Sequence, residues 1–201
     1  MKKVLFMLAA WLIYLSANAQ FKLTINGFVD ENDIEKDYVV YNFEGETQES
    51  LYTKVLKFIN TSYKSPKDVI NEVKPEMITI SGFQESCISI GKVKKVLGQS
   101  MSMTGGDDLQ YNISIRFKDG KIRIDAPSFE CTGKSGTKTS RLVLQGSNGG
   151  FGTEVRTGLF KKSGEPSREN AIKMLEDFFN EFCKAIETSI KDDSNLSLIH
   201  I

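Results

Sequence analysis

Histidine is the side chain that most often carries out acid–base chemistry near neutral pH. The single histidine, His200, lies in the C-terminal run Leu196–Ile201. That run, LSLIHI, equals the in-frame translation of a transposase mosaic-end adapter used in sequencing libraries. The alternative is a genuine apolar terminus, which is unusual because chain ends are commonly polar. We predict that residues 196–201 are an adapter artefact and that His200 has no mechanistic role.

The cysteines are the next residues that could do chemistry, either as nucleophiles or as a cross-link. Cys87, Cys131 and Cys183 contain no CxxC spacing and have no histidine partners, so they fit neither a zinc site nor a Cys–His nucleophile. An oxidising compartment would permit one disulfide and leave one thiol over. If a disulfide forms, we predict Cys87 with Cys131, because both lie in or beside predicted strands and Cys183 falls on a helix.

Three other motifs suggest an anion or metal site, but each lacks the spacing that its chemistry needs. The run Gly146–Gly152 has neither the GxGxxG pattern nor a P-loop lysine. Lys92, Lys94 and Lys95 could meet an anionic lipid or glycan, although lysines at a strand edge also discourage aggregation. Asp107–Asp108 lacks the ligand spacing of a calcium loop. No catalytic residue, cofactor-binding residue or metal ligand is therefore predicted.

The N-terminal sequence predicts export. Two lysines follow Met1, Val4–Leu15 is an apolar run of about a dozen residues, and Ser16–Ala19 has the small residues of a cleavage site. An apolar run of that length is too short to span about 30 Å of hydrocarbon. We predict a signal peptide over residues 1–19, a mature chain that begins at Gln20, no transmembrane segment after cleavage, and a periplasmic or secreted protein of a Gram-negative bacterium.

The charge balance argues against one class of partner. The chain has 26 basic and 26 acidic residues, and removal of the signal peptide takes away two lysines and no acid. A nucleic-acid-binding domain needs an excess or a patch of positive charge, which this composition does not provide. We therefore expect no nucleic acid partner, and a protein, glycan or small ligand instead.

A β-hairpin is the clearest structural element of the sequence. Apolar residues alternate with polar ones over Tyr111–Phe117 and again over Ile122–Ala126, and Asp119–Gly120 between them is a preferred type I′ turn pair. One face of the hairpin should be buried and the other wet. We interpret the charges on the wet face as isolated and solvated.

Further elements surround this hairpin. Asp37–Phe43 reads as a strand, and Thr47 is the predicted N-cap of the helix that follows. Asp68–Val73 and Met77–Gly82 read as two strands joined by a turn. Arg141–Leu144 and Glu154–Phe160 suggest a second hairpin, and Thr132–Ser140 suggests a flexible loop or boundary.

The C-terminal part predicts a long amphipathic helix with Ser167 as its N-cap. Its apolar positions recur at helical spacing: Ile172, Leu175, Phe178, Phe179, Phe182, Ile186 and Ile190. A stripe this wide favours core packing over an exposed partner surface. Phe178 and Phe182 lie one turn apart on the same side of the helix, so we expect them to behave alike.

These elements resemble a known family. The resemblance rests on the turn at Gly45, the pairs Leu51–Tyr52 and Lys57–Phe58, the run Ser62–Ser65 before Lys67–Ile70, and Tyr111–Ile115 before Lys118–Lys121. With these features, residues 28–130 are similar to exported bacterial domains of unknown function with a TATA-box-binding-protein-like (TBP-like) fold. The resemblance implies an α+β fold, with a curved antiparallel sheet and helices packed on one face, in the order strand, helix, strands, helix. It implies no active site and no DNA binding, because function lies in sites and not in folds.

The expected organisation is a TBP-like domain over residues 20–130, followed by an extension over residues 131–195 whose strands and helix pack on the same domain. The expected function is a non-catalytic binding or interaction module of the cell envelope. A hydrolase that uses carboxylates without a recognisable motif is the alternative. An apolar or aromatic exposed sheet face would favour binding, and a deep cleft that contains two close carboxylates with shifted pKa values would favour catalysis.

Overall fold

The computed structural model describes residues 19–89, 93–96, 99–102, 106–135, 137–146 and 154–192. The strands are β1 (Phe21–Thr24), β2 (Gly27–Asp30), β3 (Tyr38–Asn42), β4 (Ile70–Val73), β5 (Met77–Ile88), β6 (Val93–Val96), β7 (Gln99–Ser102), β8 (Asp107–Lys118), β9 (Lys121–Asp125), β10 (Ser128–Ser135), β11 (Lys138–Gln145) and β12 (Glu154–Phe160). The helices are α1 (Gln48–Ser62), α2 (Pro66–Val69) and α3 (Glu169–Lys191).

One sheet of eight strands organises the described part of the chain. Its order is β12–β11–β10–β8–β5–β4, and β9 joins β8 to β3. The central strand is β8, which pairs with β5 along one side and with β10 and then β9 along the other. Its pairs are antiparallel, and only β11 and β12 in this sheet pair in parallel.

The hairpin predicted at the centre of the chain is confirmed as β8 and β9. Gly120 has φ = 72°, as the turn between the strands requires. The buried residues of β8 are Leu109, Tyr111, Ile113, Ile115 and Phe117, which alternate with residues on the opposite face. This alternation fixes the register, because a slip of one residue would exchange the two faces.

The long helices α1 and α3 cover one face of the sheet and contact each other. Thr47 is the N-cap of α1, as predicted, and its side chain accepts a hydrogen bond from the Ser50 amide at 3.2 Å. The predicted α+β fold, with helices on one face of a mostly antiparallel sheet, is therefore confirmed. Among the described residues, no helix is long and apolar enough to cross a membrane.

The start of α3 differs from the prediction. Arg168 occupies the N-cap position, and no side chain caps the helix there. The amides of Ser167 and Arg168 both donate to the Leu159 carbonyl oxygen, at 2.7 and 3.1 Å. Ser167 is therefore tied to β12 by its backbone, which moves the start of the helix one residue on.

Two expectations for the second half of the sheet were wrong. The segments expected to form a hairpin are the parallel strands β11 and β12, with Thr139 opposite Glu154 and Gln145 opposite Phe160. Within the segment Thr132–Ser140, residues Thr132–Ser135 and Lys138–Ser140 are not a flexible loop, because they belong to the paired strands β10 and β11. Glycine, serine and threonine suggested a loop, but pairing with β8 and β11 decides the conformation.

A smaller hairpin, β1 with β2, is attached to α3 by side chains that replace a neighbouring strand. Asn180 accepts from the Phe21 amide at 2.7 Å and donates to the Phe21 carbonyl oxygen at 3.0 Å. Glu176 accepts from the Leu23 amide at 2.9 Å. The backbone groups on the free edge of β1 thus have hydrogen-bond partners on α3, and these bonds connect the start of the domain to its last helix.

The phenylalanines of α3 are not equally buried. Phe182 is 2 % exposed and packs edge-on against Phe58, with ring centroids 6.4 Å apart. Phe178 is only partly buried and lies against Tyr111. The expectation that Phe178 and Phe182 behave alike was wrong, because four residues along an α-helix turn a side chain by more than one full turn.

Phe182→Ala should lower the free energy of unfolding by about 3–5 kcal/mol, the usual cost of truncating a fully buried phenylalanine. Phe178→Ala should lower it by clearly less, because that ring loses less buried contact. Urea denaturation of both variants measures the difference. Equal losses at the two positions would contradict this packing.

Candidate functional site

The face of the sheet opposite the helices, called the open face, is the main candidate surface. Its residues on the five strands from β4 to β3 are Val73, Met77, Thr79, Ser81, Phe83, Gln110, Asn112, Ser114, Arg116, Lys118, Lys121, Arg123, Asp125, Tyr38, Val40 and Asn42, each exposed or half-buried. They alternate with core residues along every strand, so the same pattern that builds the core assembles this surface.

The strand register arranges the open face in rows that run across the sheet. One row contains Val73, Met77, Arg116, Arg123 and Val40, each opposite the next. A second row, nearer the turn, places Lys118 opposite Lys121. Directly opposed side chains have Cβ atoms about 4.5–5.5 Å apart.

These two rows create a cation array, defined as Arg116, Lys118, Lys121 and Arg123. Each row opposes two like charges, which destabilises a pair of strands. The Arg116–Arg123 row is compensated by Asp125, whose carboxylate accepts from both Nε atoms, at 2.8 and 2.6 Å.

The lysine row has no such compensation. Lys118 and Lys121 form no ion pair in the part of the chain that the structure describes. Asp119, in the turn between them, accepts from the Gln48 amide at 2.8 Å, at the start of α1. Its carboxylate is therefore engaged at the helix N-terminus, where a negative charge is favourable.

Both sides of the array are built from neighbouring strands. On one side, the Arg123 guanidinium lies 3.8 Å from the centre of the Tyr38 ring, a cation–π contact that fixes the side chain. On the other, an open cleft of ≈ 720 Å³ is lined by Gln48, Val73, Glu76, Met77, Arg116, Phe117, Lys118, Asp119 and Lys121. The array thus borders a space that a ligand can enter.

Most of the rest of the described open face is neutral or internally paired. Ser81 donates to Asn112 Oδ1 at 2.6 Å, and the next row pairs two hydroxyls. At the far end, Arg141 pairs with Glu130 at 3.1 Å and Arg156 pairs with Glu154 at 3.2 Å. Apart from Lys134, an exposed residue of β10, the uncompensated positive charge of the described open face therefore lies in the array.

On the other face of β8, Asp107 is a buried carboxyl group with an unsatisfied atom. It is 4 % exposed, its Oδ1 accepts from Ser140 Oγ at 3.2 Å, and its Oδ2 has no hydrogen-bond partner. Gly133 allows this approach, because a Cβ atom there would lie 2.0 Å from Oδ1. Burial raises the pKa of Asp107.

Asp107 does not belong to the pair of carboxylates in a cleft that the alternative function requires. Asp107 lies in the core and not in the cleft beside the array. Asp108, the next residue, accepts from the Ser86 amide at 2.8 Å. The one carboxyl group in the described residues with a raised pKa is therefore separate from the open cleft.

The three cysteines are free thiols in the structure. Cys87 lies in the irregular part of β5 between Gln84 and Ile88, and Cys131 lies on β10, with β8 between these two strands. The Cys87–Cys131 bond stays a prediction.

The thiols are also poor nucleophiles. Burial raises the pKa of Cys183 to about 12 and raises that of Cys131 as well. The Cys87 pKa is raised by the same cause. A thiol with a raised pKa carries little thiolate near neutral pH.

Several motifs from the sequence fall outside the described residues. These are His200 with the adapter-like run, residues 1–18 of the signal peptide, Lys92, and the part of the glycine-rich run that follows Gly146. Lys94 and Lys95 belong to β6, which pairs with β7. Asp107 and Asp108 are described above and form no metal cluster with other described residues.

Solved structures share the fold. A DUF4468 family protein from Bacteroides ovatus is 12% identical, with a TM-score of 0.51, over 77% of this chain and 85% of that chain. The chain has the fold of that protein. A TBP-like protein from Parabacteroides distasonis is 12% identical, with a TM-score of 0.49, over 78% of this chain and 92% of that chain. No protein-family model matches the chain, and no curated protein matches its sequence.

The comparison with the DUF4468 family protein confirms the predicted architecture at the level of fold. An identity of 12% does not transfer individual residues or roles. The residues of the array and the environment of Asp107 must therefore be interpreted from this chain alone.

Asp107→Asn should stabilise the fold at about pH 8 and have little effect near the unfolded pKa of about 3.9. The raised pKa means that the folded state holds the proton more tightly than the unfolded state. The stabilisation by the protonated form is complete below the unfolded pKa and is lost as pH rises through the folded pKa. Urea midpoints across this range measure the effect.

Asp108→Asn is the matched control for Asp107→Asn. It makes the same chemical change on the adjacent residue, but removes a carboxylate that accepts from the Ser86 amide. It should therefore bring no gain at high pH. A gain for Asp108→Asn, or none for Asp107→Asn, would contradict the account of Asp107.

Proposed function

We propose that the chain is a binding module that takes an acidic segment of a partner protein on the open face. The cation array carries this proposal, because two lysines oppose each other there without a compensating carboxylate. The neighbouring arginine row is bridged by Asp125, which illustrates what a carboxylate does at such a position. A partner carboxylate on the lysine row would act in the same way.

The energetics favour a ligand that brings negative charge. Opposed like charges on neighbouring strands cost roughly 0.2–1 kcal/mol, and a bound anion removes that cost. The Asp119 carboxylate is engaged by the Gln48 amide. The array therefore gains more from an incoming carboxylate than from rearrangement of its own side chains.

The residues around the array favour a peptide. Val73 is 50% exposed and Val40 is 37% exposed, and they end the row that contains the two arginines. Met77 lies between Val73 and Arg116 in that row. An acidic peptide with aliphatic side chains would pair its carboxylates with the lysines and cover this apolar surface.

The layout of charge argues against a nucleic acid in that place. A phosphate backbone repeats its charge along its length and needs an extended cationic track. The array occupies one end of the sheet, and the two arginines farther along the described open face, Arg141 and Arg156, are paired with Glu130 and Glu154. A polyanion that continued across the sheet would have to displace these ion pairs.

A fluorescein-labelled peptide of alternating glutamate and leucine should bind the protein, and its affinity should fall with added salt. Lys118→Glu/Lys121→Glu should weaken binding by about tenfold or more, because it opposes the peptide carboxylates with like charges. Fluorescence anisotropy measures both. Lys64→Glu/Lys67→Glu, at exposed positions outside the array, makes the same change in charge and should leave binding unaltered.

Two further probes decide the class of partner. The same peptide with glutamine in place of glutamate should not bind. Single-stranded and duplex DNA oligonucleotides should bind more weakly than the acidic peptide. Tighter binding of either DNA would overturn the assignment to a protein partner.

We also propose that this binding takes place outside the cytoplasm, after removal of the signal peptide. The first strand begins at Phe21, so cleavage after Ala19 leaves every described strand intact. It removes the Ala19 carbonyl oxygen, which accepts from the Tyr41 hydroxyl at 2.5 Å. The domain keeps the bonds of Phe21 and Leu23 to α3.

Intact mass analysis of the protein expressed in a Gram-negative host should give a chain that starts at Gln20. The sample should come from the periplasm or the medium. Ala17→Arg/Ala19→Arg, which removes the small residues of the cleavage pattern, should cause the precursor to accumulate. Recovery of the wild-type precursor from the cytoplasm under normal secretion would contradict export.

A further inference from the structure

A second charged surface of this chain complements the cation array. The loop between β2 and β3, called the acidic loop (residues 30–37), has five carboxylates and one lysine. At its tip, Ile34 is 72% exposed and stands between Asp33 and Glu35. The loop thus offers what the array and its aliphatic neighbours are suited to bind: carboxylates beside an aliphatic side chain.

The acidic loop is held in one conformation by its own hydrogen bonds. The Asp30 amide donates to the Lys36 carbonyl oxygen at 2.8 Å, and the Lys36 amide donates to the Asp33 carbonyl oxygen at 2.9 Å. The Asp30 carboxylate accepts from the Asn32 amide at 2.8 Å. A loop that is ordered before binding loses less conformational entropy when it binds.

The charges of the loop are available to a partner. Lys36, the only cation of the loop, is paired with Asp33 at 2.8 Å. Glu31 and Glu35 are exposed, and their amides, not their carboxylates, make the hydrogen bonds that tie them to the fold. The loop therefore presents two carboxylates that no part of its own turn requires.

We propose that the partner of the cation array is the acidic loop of a second copy of this chain. This inference rests on the proposed function and names its partner. The array and the loop of one copy are separate surfaces, and no ion pair joins them in the described structure. Each copy therefore has both halves of the contact unused.

The relative position of the two surfaces is compatible with two-fold symmetry. The loop leads directly into β3, and β3 pairs with β9, which carries two cations of the array. Loop and array thus lie on adjoining elements. A two-fold dimer can then make both contacts at once, with each loop on the array of the other copy.

A charge exchange tests this dimer in the full chain as purified after expression. Glu31→Lys/Glu35→Lys reverses the charge of the two carboxylates that the loop presents and keeps the Asp30 and Asp33 bonds that shape it. Lys118→Glu/Lys121→Glu reverses the lysine row. Either variant alone opposes like charges at both contacts, whereas an equimolar mixture of the two restores opposite charges at both.

Sedimentation velocity should show wild-type dimers at about 100 µM protein and low ionic strength, with dissociation as salt is raised. Each variant alone should dimerise at least about tenfold more weakly than the wild type, and the mixture should recover the dimer. Lys64→Glu/Lys67→Glu is the control for altered net charge and should dimerise like the wild type.

Three results would overturn the dimer: a monomeric wild type at low salt, an unchanged Glu31→Lys/Glu35→Lys variant, or a mixture that fails to recover. The labelled acidic peptide separates this inference from the proposed function. Glu31→Lys/Glu35→Lys keeps the array, so its binding of the peptide without wild-type dimerisation would mean that the array has another acidic partner. Loss of peptide binding in that variant would contradict the proposed function itself.

Discussion

The two-residue alternation of β8 is the constraint on which the rest of the structure depends. Five apolar side chains, from Leu109 to Phe117, point to the helices, and the residues between them form the middle of the open face. Because β5, β9 and β10 all pair with this strand, its register sets the registers of its neighbours. The hydrophobic gain from one face therefore holds the polar rows of the other in place.

Opposed like charges on the open face follow from that constraint. A hairpin with a two-residue turn must place the residues beside the turn opposite each other, which here are Lys118 and Lys121. The cost of the opposition is small against the burial of Phe117 and Ile122, which lie next to them and point to the core. The fold can therefore sustain an electrostatically unfavourable surface where a partner would relieve it.

Local patterns predicted the elements whose stability is local. The hairpin of β8 and β9, the Thr47 cap and the apolar stripe of α3 could all be recognised in the sequence. The direction in which two strands pair could not be derived from local pattern, because it depends on the path of the chain between them and on the neighbours that supply the hydrogen bonds. The parallel pair β11–β12 is the clearest example.

The cation array and the environment of Asp107 also differ in how far local sequence determines them. The lysine row of the array follows from the Asp119–Gly120 turn and could have been derived from the sequence, although the charges were interpreted as isolated. The environment of Asp107 could not, because Gly133 and Ser140 come from two other strands. A charge is recognised as unusual only through its cross-strand neighbours, so the net charge of zero says nothing about this surface. On neighbouring elements this chain separates an acidic loop from a cation array, and that separation gives one copy a surface complementary to another.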